Sequence, residues 1–506
     1  MAPAHTSVQT GVMTSSANTG GTGEQSGRTG GTDGGTSEYD VVVLGAGPVG
    51  ENFAERARAA GLSVAVVESE LVGGECSYWA CMPSKALLRP VITQADARRV
   101  PGVRGQVEGP LDAEAVLAHR DAFASQWKDD GQVQWLDGIG ARLYRGQGRL
   151  DGTRRVTVTA PDGARRTLTA RHAVAVCTGS RAVLPELPGM DGARPWTSRE
   201  ATSAESVPPR LAVVGGGVVG VEMATAWQAL GSRVTLLARD QGLLPRMEPF
   251  AGELVAEALR GAGAEVRLGV SVTSVHREGG TVTLGLDDGG SVQAEEVLFA
   301  TGRAPRTEDL GLETVGLEPG GWLDVDDSCR VHGFDWLYAV GDVNHRALLT
   351  HQGKYQARIA GAALAARAQG VPLLESDPWG AHAATADHRA VPQVVFTDPE
   401  VAAVGPTLAE AEAAGHRVRA VDYDLSGVAG AALFVDGYRG KARMLVDLDR
   451  EVLLGVTFVG PGVGELLQSA TLAVAGEIPV ERLWHAVPAY PTISEVWLRL
   501  LETYRG

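Results

Sequence analysis

Two cysteines, Cys76 and Cys81, stand five positions apart in the stretch VGGECSYWACMPSKALL, with Tyr78 and Trp79 between them. A thiol pair at this spacing can close a structural bridge, hold a metal or exchange electrons with a substrate. In an undistorted helix, residues five apart rise about 7.5 Å, beyond the usual disulfide Cα separation of roughly 4.4–6.8 Å. A bridge here therefore requires an irregular turn. So small a ring constrains the unfolded chain by only about 2 kcal/mol on the loop-entropy account, which makes it a poor staple. A zinc clip needs two further ligands, and no Cys or His lies between residues 82 and 118, so no metal site is expected. Cys177 and Cys329 lie on apolar or strand-like segments without a partner motif and read as buried structural cysteines.

The elements around the pair decide between the readings. The segment YDVVVLGAGPVGENFAERARAAGLSVAVVE, from Tyr39, reads as strand, glycine turn, helix and second strand. Gly45 permits the tight turn, Gly47 lets backbone approach a pyrophosphate at the helix N-terminus, and Gly50 allows the helix to pack closely. Glu68, closing the second strand, is placed to bind a ribose hydroxyl. A second copy begins at Leu211, with Gly215, Gly217 and Gly220 in the same roles. There the position of the ribose-binding acid is Ala238, with Arg239 beside it, which favours a 2'-phosphate and hence NADPH, with NADH as the alternative. A chain that binds two dinucleotides beside a thiol pair points to a redox-active dithiol coupled to a flavin.

Length and charge agree with an enzyme of this size. The 506 residues suggest about three domains, and no run approaches the roughly 18 apolar residues of a membrane span. A net charge of -16 without basic clusters argues against nucleic acid as a partner. Four cysteines and no signal-peptide pattern point to a cytoplasmic protein. Residues 1–38, rich in Gly, Ser and Thr, read as a disordered tail.

The motifs together resemble the FAD-dependent pyridine nucleotide-disulfide oxidoreductases, the family of dihydrolipoamide dehydrogenase, glutathione and mycothione reductases and mercuric reductase. Gly73, Gly74, Cys76, Cys81, Pro83, Ser84 and Lys85 fit its cysteine box. CTGS, with Thr178 and Gly179, and ATGRAPRT, with Gly302 and Arg303, are similar to the crossings between its two nucleotide domains. LYAVGDV, with Gly341 and Asp342, is similar to its ribityl-binding segment. The resemblance implies an α/β fold of two Rossmann-like domains, for FAD and NAD(P), plus an α+β C-terminal dimerisation domain. The FAD domain would span 39–185 and 300–378, the NAD(P) domain 186–299 and the interface domain 379–506. It further implies a homodimer with a shared active site, acting on a small-molecule substrate. Cys81 would be the flavin-proximal sulfur, Cys76 the exchange thiol, and Lys85 would pair with Glu222. Val218 stands where many relatives carry a tyrosine covering the flavin, which leaves that cover partly open.

One segment departs from the family. HAVPAYPTISEVW resembles its His-Pro-Thr-x-x-Glu dyad, but the histidine position is Tyr490, with Glu495 retained. A phenol with a pKa near 10 is a poor base at pH 7, whereas imidazole near 6.5 is well poised. Disulfide turnover should then be low at neutral pH and climb toward the exchange thiol's own pKa, around 8.5. His485 reads as an interface or core histidine before a substitute base. The alternative function is a quinone, electron-acceptor or metal-ion reductase working from the flavin. Tyr78 and Trp79 either pack in the core or shape the approach to Cys76.

Overall fold

The computed structural model of the protein describes residues 36–374 and 377–506, so residues 1–35 of the expected tail lie outside the described residues. The first strand, Thr36–Leu44, begins ahead of the expected Tyr39 because its backbone pairs in parallel with Arg165–Val176 from Thr36↔Thr167 onward. Val41 to Leu44 are buried, as a central parallel strand covered on both faces requires. Val64–Glu68 pairs on its other side, and Leu337–Ala339 comes back from far down the chain to lie beside Arg165–Val176. The chain thus leaves this seven-stranded sheet and returns to it.

A second sheet is built in between. Four parallel strands lie in the order Glu265–Leu268, Arg233–Ala238, Arg210–Val214 and Glu296–Phe299. The C-terminal unit is a five-stranded antiparallel sheet, from Pro392–Val395 at one edge to Val418–Asp424 at the other, backed by the helices Leu467–Ala475 and Val496–Arg505. This is an α/β fold with an α+β C-terminal unit.

The two glycine turns are copies in space as well as in sequence. A Cβ on Gly45 (φ +95°) would stand 2.5 Å from the Cys177 carbonyl oxygen, and one on Gly50 would stand 1.9 Å from the Gly45 oxygen. In the second turn, Gly215 (φ +125°) meets the Ala300 oxygen at 2.3 Å, and Gly220 meets the Gly215 oxygen at 1.9 Å. Each helix therefore seats its first turn directly on the end of the strand before it. The helix Pro48–Ala59 starts with proline at its first turn, where a missing N–H costs nothing, and buries Gly50, Phe53, Ala54 and Ala57.

The C-terminal unit leaves large apolar side chains uncovered: Val487 is 87% exposed, Leu433 72% and Leu472 59%. Such a face calls for cover, which the expected second subunit would supply. Among the described residues no helix is long and apolar enough to cross a membrane.

Candidate active site

The backbone between the two cysteines is not one continuous helix. Gly74–Tyr78 forms one short helix and Cys81–Arg98 the next, while Trp79 (φ -137°, ψ 0°) and Ala80 (φ -132°, ψ -99°) depart from helical geometry. This is the irregular turn that a Cys76–Cys81 bridge needs. Cys81 Sγ also lies 3.2 Å from Thr350 Oγ1, on the first residue of the helix Thr350–Ala368. The hydrogen bond from Cys76, joined by the Thr350 hydroxyl and the Lys85 charge, draws the Cys81 thiol down to about 6 against its burial. The same bond, together with burial, pushes Cys76 well above the ordinary thiol value. The reduced pair is therefore polarised, with Cys81 as the thiolate and Cys76 holding the proton. This revises the expectation of an exchange thiol near 8.5.

The aromatic pair divides its roles. Tyr78 is buried and its hydroxyl donates to the Val72 carbonyl at 2.9 Å, which is core packing. Trp79 is half-buried beneath the Arg199 guanidinium, 4.2 Å from the ring centre, and its carbonyl accepts the Thr202 hydroxyl at 2.8 Å.

Lys85, one turn past Cys81, places Nζ 2.7 Å from Glu222 Oε2, as the motifs imply. Glu222 is buried, and its other oxygen accepts the Phe396 N–H at 3.0 Å. The carboxylate is thus satisfied on both oxygens. The Lys85 charge also lies 4.9 Å from the Phe396 ring centre, so the ion pair joins the helix bearing the dithiol, the second nucleotide unit and the C-terminal unit.

Beside the dithiol runs a cleft lined by Gly45, Gly47, Glu68, Gly74, Cys76, Thr178, Gly179, Arg303, Asp342 and Thr350 among others. A Cβ on Gly74 would stand 2.8 Å from Gly47 Cα, so the glycine turn and the cysteine loop meet backbone to backbone. Glu68 accepts the Ala46 and Glu70 N–H groups, each at 2.7 Å, which fixes its carboxylate at the cleft wall. Asp342 accepts the Ser180 hydroxyl, which in turn accepts from Arg303 Nε at 2.6 Å, and burial pushes the Asp342 carboxyl up. Gly341 (φ +84°) turns the chain into that aspartate, while Gly179 (φ +70°) and Gly302 (φ +144°) turn the two crossings. A helix N-terminus at one end, a fixed acid beside it and a thiol at the other end fit an extended flavin dinucleotide.

In the second turn a Cβ on Gly217 would meet nothing within 4 Å, so space is open over the backbone there. Val218 opens the following helix, Val218–Ala229, half-buried. Ala238 is buried at its strand end, whereas the Arg239 side chain is 82% exposed, with a 3.8 Å contact to Asp240. A guanidinium so placed is free to meet a phosphate.

Tyr490 and Glu495 do not line the dithiol cleft of their own chain. Tyr490 is 76% exposed, three residues after the uncovered Val487. Glu495 is buried; its Oε1 accepts Arg499 Nη2 at 2.5 Å, and its Oε2 has no partner within the chain. His485 is exposed, which removes the core reading for it.

Two residues of the site, Thr350 and Arg199, and one buried behind its first glycine turn, Glu51, escaped the motifs. Thr350 meets Cys81 across 269 residues of sequence. Arg199 spans Glu70 and Glu75 at the cleft wall. Glu51, directly after the third glycine, is buried with Oε1 unpartnered, and burial pushes its carboxyl up to about 8. Its place on the core-facing side of an amphipathic pattern was the available signal.

Residues 39–370 match the family model described as pyridine nucleotide-disulphide oxidoreductase, and 391–500 match that family's dimerisation domain. The chain is 31% identical to Dihydrolipoyl dehydrogenase 2 of Haloarcula marismortui over 93% of its own length and 98% of the relative's. It is 33% identical to a mercuric reductase of Acidithiobacillus ferrooxidans over 90% of this chain and 81% of that one. Among solved structures, LpdA of Mycobacterium tuberculosis superposes with a TM-score of 0.78 at 27% identity, covering 91% of this chain and 98% of that one. The flavoprotein disulfide reductase RclA of Escherichia coli, at 22% identity and a TM-score of 0.77, covers 92% and 99% and shares the fold.

Proposed function

Because the chain belongs to the pyridine nucleotide-disulphide oxidoreductases, homodimeric enzymes that use FAD and NAD(P)H, we propose that it is an NADPH-dependent reductase of a small disulfide in the cytoplasm. The carrying observation is the polarised thiol pair, Cys81 between Cys76 and Thr350, with the Lys85–Glu222 ion pair behind it. We assign FAD to residues 39–185 and 300–378, NADPH to 186–299 and the subunit interface to 379–506. FAD, when bound, supplies the two-electron relay between NADPH and the dithiol.

The chain's own residues carry out the exchange. Cys76 gives up its proton, and its sulfur attacks one sulfur of the substrate disulfide. That S–S bond breaks, the first substrate thiol leaves with a proton, and a mixed disulfide with Cys76 remains. The Cys81 thiolate then attacks Cys76 Sγ, the mixed disulfide breaks, and the second substrate thiolate leaves and takes a proton from solvent. The substrate gains two electrons, and the dithiol becomes the Cys76–Cys81 disulfide. In the reduced pair the hydrogen bonds from Cys76 and Thr350 hold Cys81 as the thiolate, and the Lys85 charge adds to them.

A second reading, reduction of a quinone, other electron acceptor or metal ion directly from the flavin, is favoured by Tyr490 at the usual base position and by Glu495 turned to Arg499. NADPH oxidation measured with disulfides, quinones and metal ions, in wild type and in Cys76→Ser, separates the two. Disulfide turnover abolished by Cys76→Ser supports the dithiol route. Full activity of Cys76→Ser on every accepted substrate overturns it.

A further inference from the structure

The flavin cleft holds an uneven set of charges. Four carboxylates line it, from Glu68, Glu70, Glu75 and Asp342, against three guanidiniums, from Arg199, Arg303 and Arg306. A dinucleotide brings a pyrophosphate, so any wall carboxylate left without a counter-charge repels it. Glu68 is held by two backbone N–H groups and Asp342 by Ser180. Glu70 and Glu75 depend on arginine, and Arg199 is the one they share.

The geometry at Arg199 uses all of the guanidinium. Nη1 and Nη2 form a fork onto Glu70 Oε1 and Oε2 at 3.0 and 2.8 Å, and Nε donates to Glu75 Oε1 at 2.6 Å. The same Glu75 oxygen accepts Arg306 Nη2 at 3.0 Å. One face of the guanidinium lies on Trp79, and one turn further along its helix, Ser198–Ser203, Thr202 bonds the Trp79 carbonyl. That helix belongs with the second sheet, which Trp196 joins through a bridge to Leu298, whereas Glu70 and Glu75 follow the strand Val64–Glu68 of the first. A planar, five-donor cation suits this triple contact in a way that an ammonium does not.

Resting on the flavoprotein reading above, we propose that Arg199 is a cofactor-retaining clamp: reaching across from the second nucleotide unit, it neutralises Glu70 and Glu75 so that the cleft accepts and keeps an anionic flavin dinucleotide.

The test is FAD affinity. Deflavinated full-length wild type, Arg199→Met, Arg199→Lys and the triple variant Arg199→Met/Glu70→Gln/Glu75→Gln are titrated with FAD by fluorescence quenching. Thermal unfolding of each apo-protein is recorded alongside. Arg199→Met should weaken FAD binding roughly ten- to a hundredfold, the scale of like-charge repulsion between the uncovered carboxylates and a pyrophosphate near a protein surface, with Arg199→Lys in between. The triple variant should recover most of the loss, because the carboxylates that needed the cation are gone. Unchanged FAD affinity in Arg199→Met, or a triple variant as weak as Arg199→Met, overturns the clamp. If Arg199→Met does not fold, Arg199→Lys, alone and with both glutamine changes, is judged by the same two criteria. A folded wild type that binds no FAD would overturn the flavoprotein reading instead.

Discussion

Glu495 turns its carboxylate to Arg499 Nη2, 2.5 Å away, while Tyr490 stands 76% exposed on the same chain. The family's dyad joins a glutamate to a histidine that cycles the exchange thiol's proton. Here the glutamate already has a cationic partner four residues along its own helix, and the residue in the histidine's place carries a phenol. The substitution at 490 and the capture of Glu495 are consistent with each other, and on the proposed dithiol route this dyad offers Cys76 no imidazole.

Disulfide turnover by wild type should therefore be low at pH 7. It should still be climbing past pH 8.5, because Cys76 is pushed above that ordinary value. Tyr490→His should raise kcat/KM at pH 7, and adding Arg499→Met should raise it further by freeing Glu495 to orient the imidazole. Tyr490→Phe should change little. A wild type already fast at pH 7, and slowed by Tyr490→His, would show that Tyr490 or His485 moves the proton after all.

The Cys81 thiolate should report itself by its charge-transfer absorbance with FAD after two-electron reduction. The band should be present at pH 7 and disappear as pH falls through about 6, the value to which its partners draw the thiol. Thr350→Val removes one hydrogen bond to the thiolate and should move that midpoint up by about one unit, roughly 1.4 kcal/mol. Cys81→Ser should abolish the band. A band that survives Cys81→Ser would assign the proximal sulfur to Cys76.

What could be read in the chain beforehand follows a physical division. The glycine turns were legible because each glycine is demanded by a contact within a few residues or by a strand directly beneath it, as with Gly50 against the Gly45 oxygen. Rise per residue showed that a Cys76–Cys81 bridge needs an irregular turn, but not that the turn falls at Trp79–Ala80. Lys85 and Glu222 were legible because each sits at a fixed offset inside a motif. Thr350 and Arg199 were not, because their partners lie 269 and 124–129 residues away and no local pattern marks either one. The start of the first strand was misplaced for a similar reason: Thr36 to Glu38 look like tail, and only their pairing with Thr167 to Thr169 makes them strand. Glu495's bond to Arg499 is an i,i+4 pair that a helical reading of the last segment could have found.

Nucleotide preference should follow Arg239. Ala238 offers no carboxylate to a ribose hydroxyl pair, and the exposed guanidinium next to it has a 3.8 Å contact to Asp240 to give up. One arginine–phosphate contact is worth on the order of 1.5–3 kcal/mol, so NADPH should be preferred over NADH by roughly ten- to a hundredfold in kcat/KM. Arg239→Ala should remove most of that margin through KM for NADPH. Equal kcat/KM for the two nucleotides in both proteins would refute the assignment.

Glu51 should make stability fall as pH rises. Its carboxyl is buried on the first turn of the helix Pro48–Ala59, with Oε1 unpartnered. Burial raises its pKa from 4.5 to about 8; Lys354 pulls it down by less, and Glu68 adds to the rise. Below about pH 4.5 the folded and unfolded chains both hold the proton, and the group contributes nothing to the difference. Between about 4.5 and 8 only the folded state keeps it, so each step up in pH favours unfolding. Above about 8 the full penalty applies, on the order of 5 kcal/mol. Glu51→Gln cannot ionise and should escape that penalty. Thermal unfolding of both proteins across pH 5–9 should therefore show the variant gaining on wild type as pH rises, with most of the gain by pH 8. A difference in Tm that is flat across this range would mean that Glu51 is ionised in the folded protein.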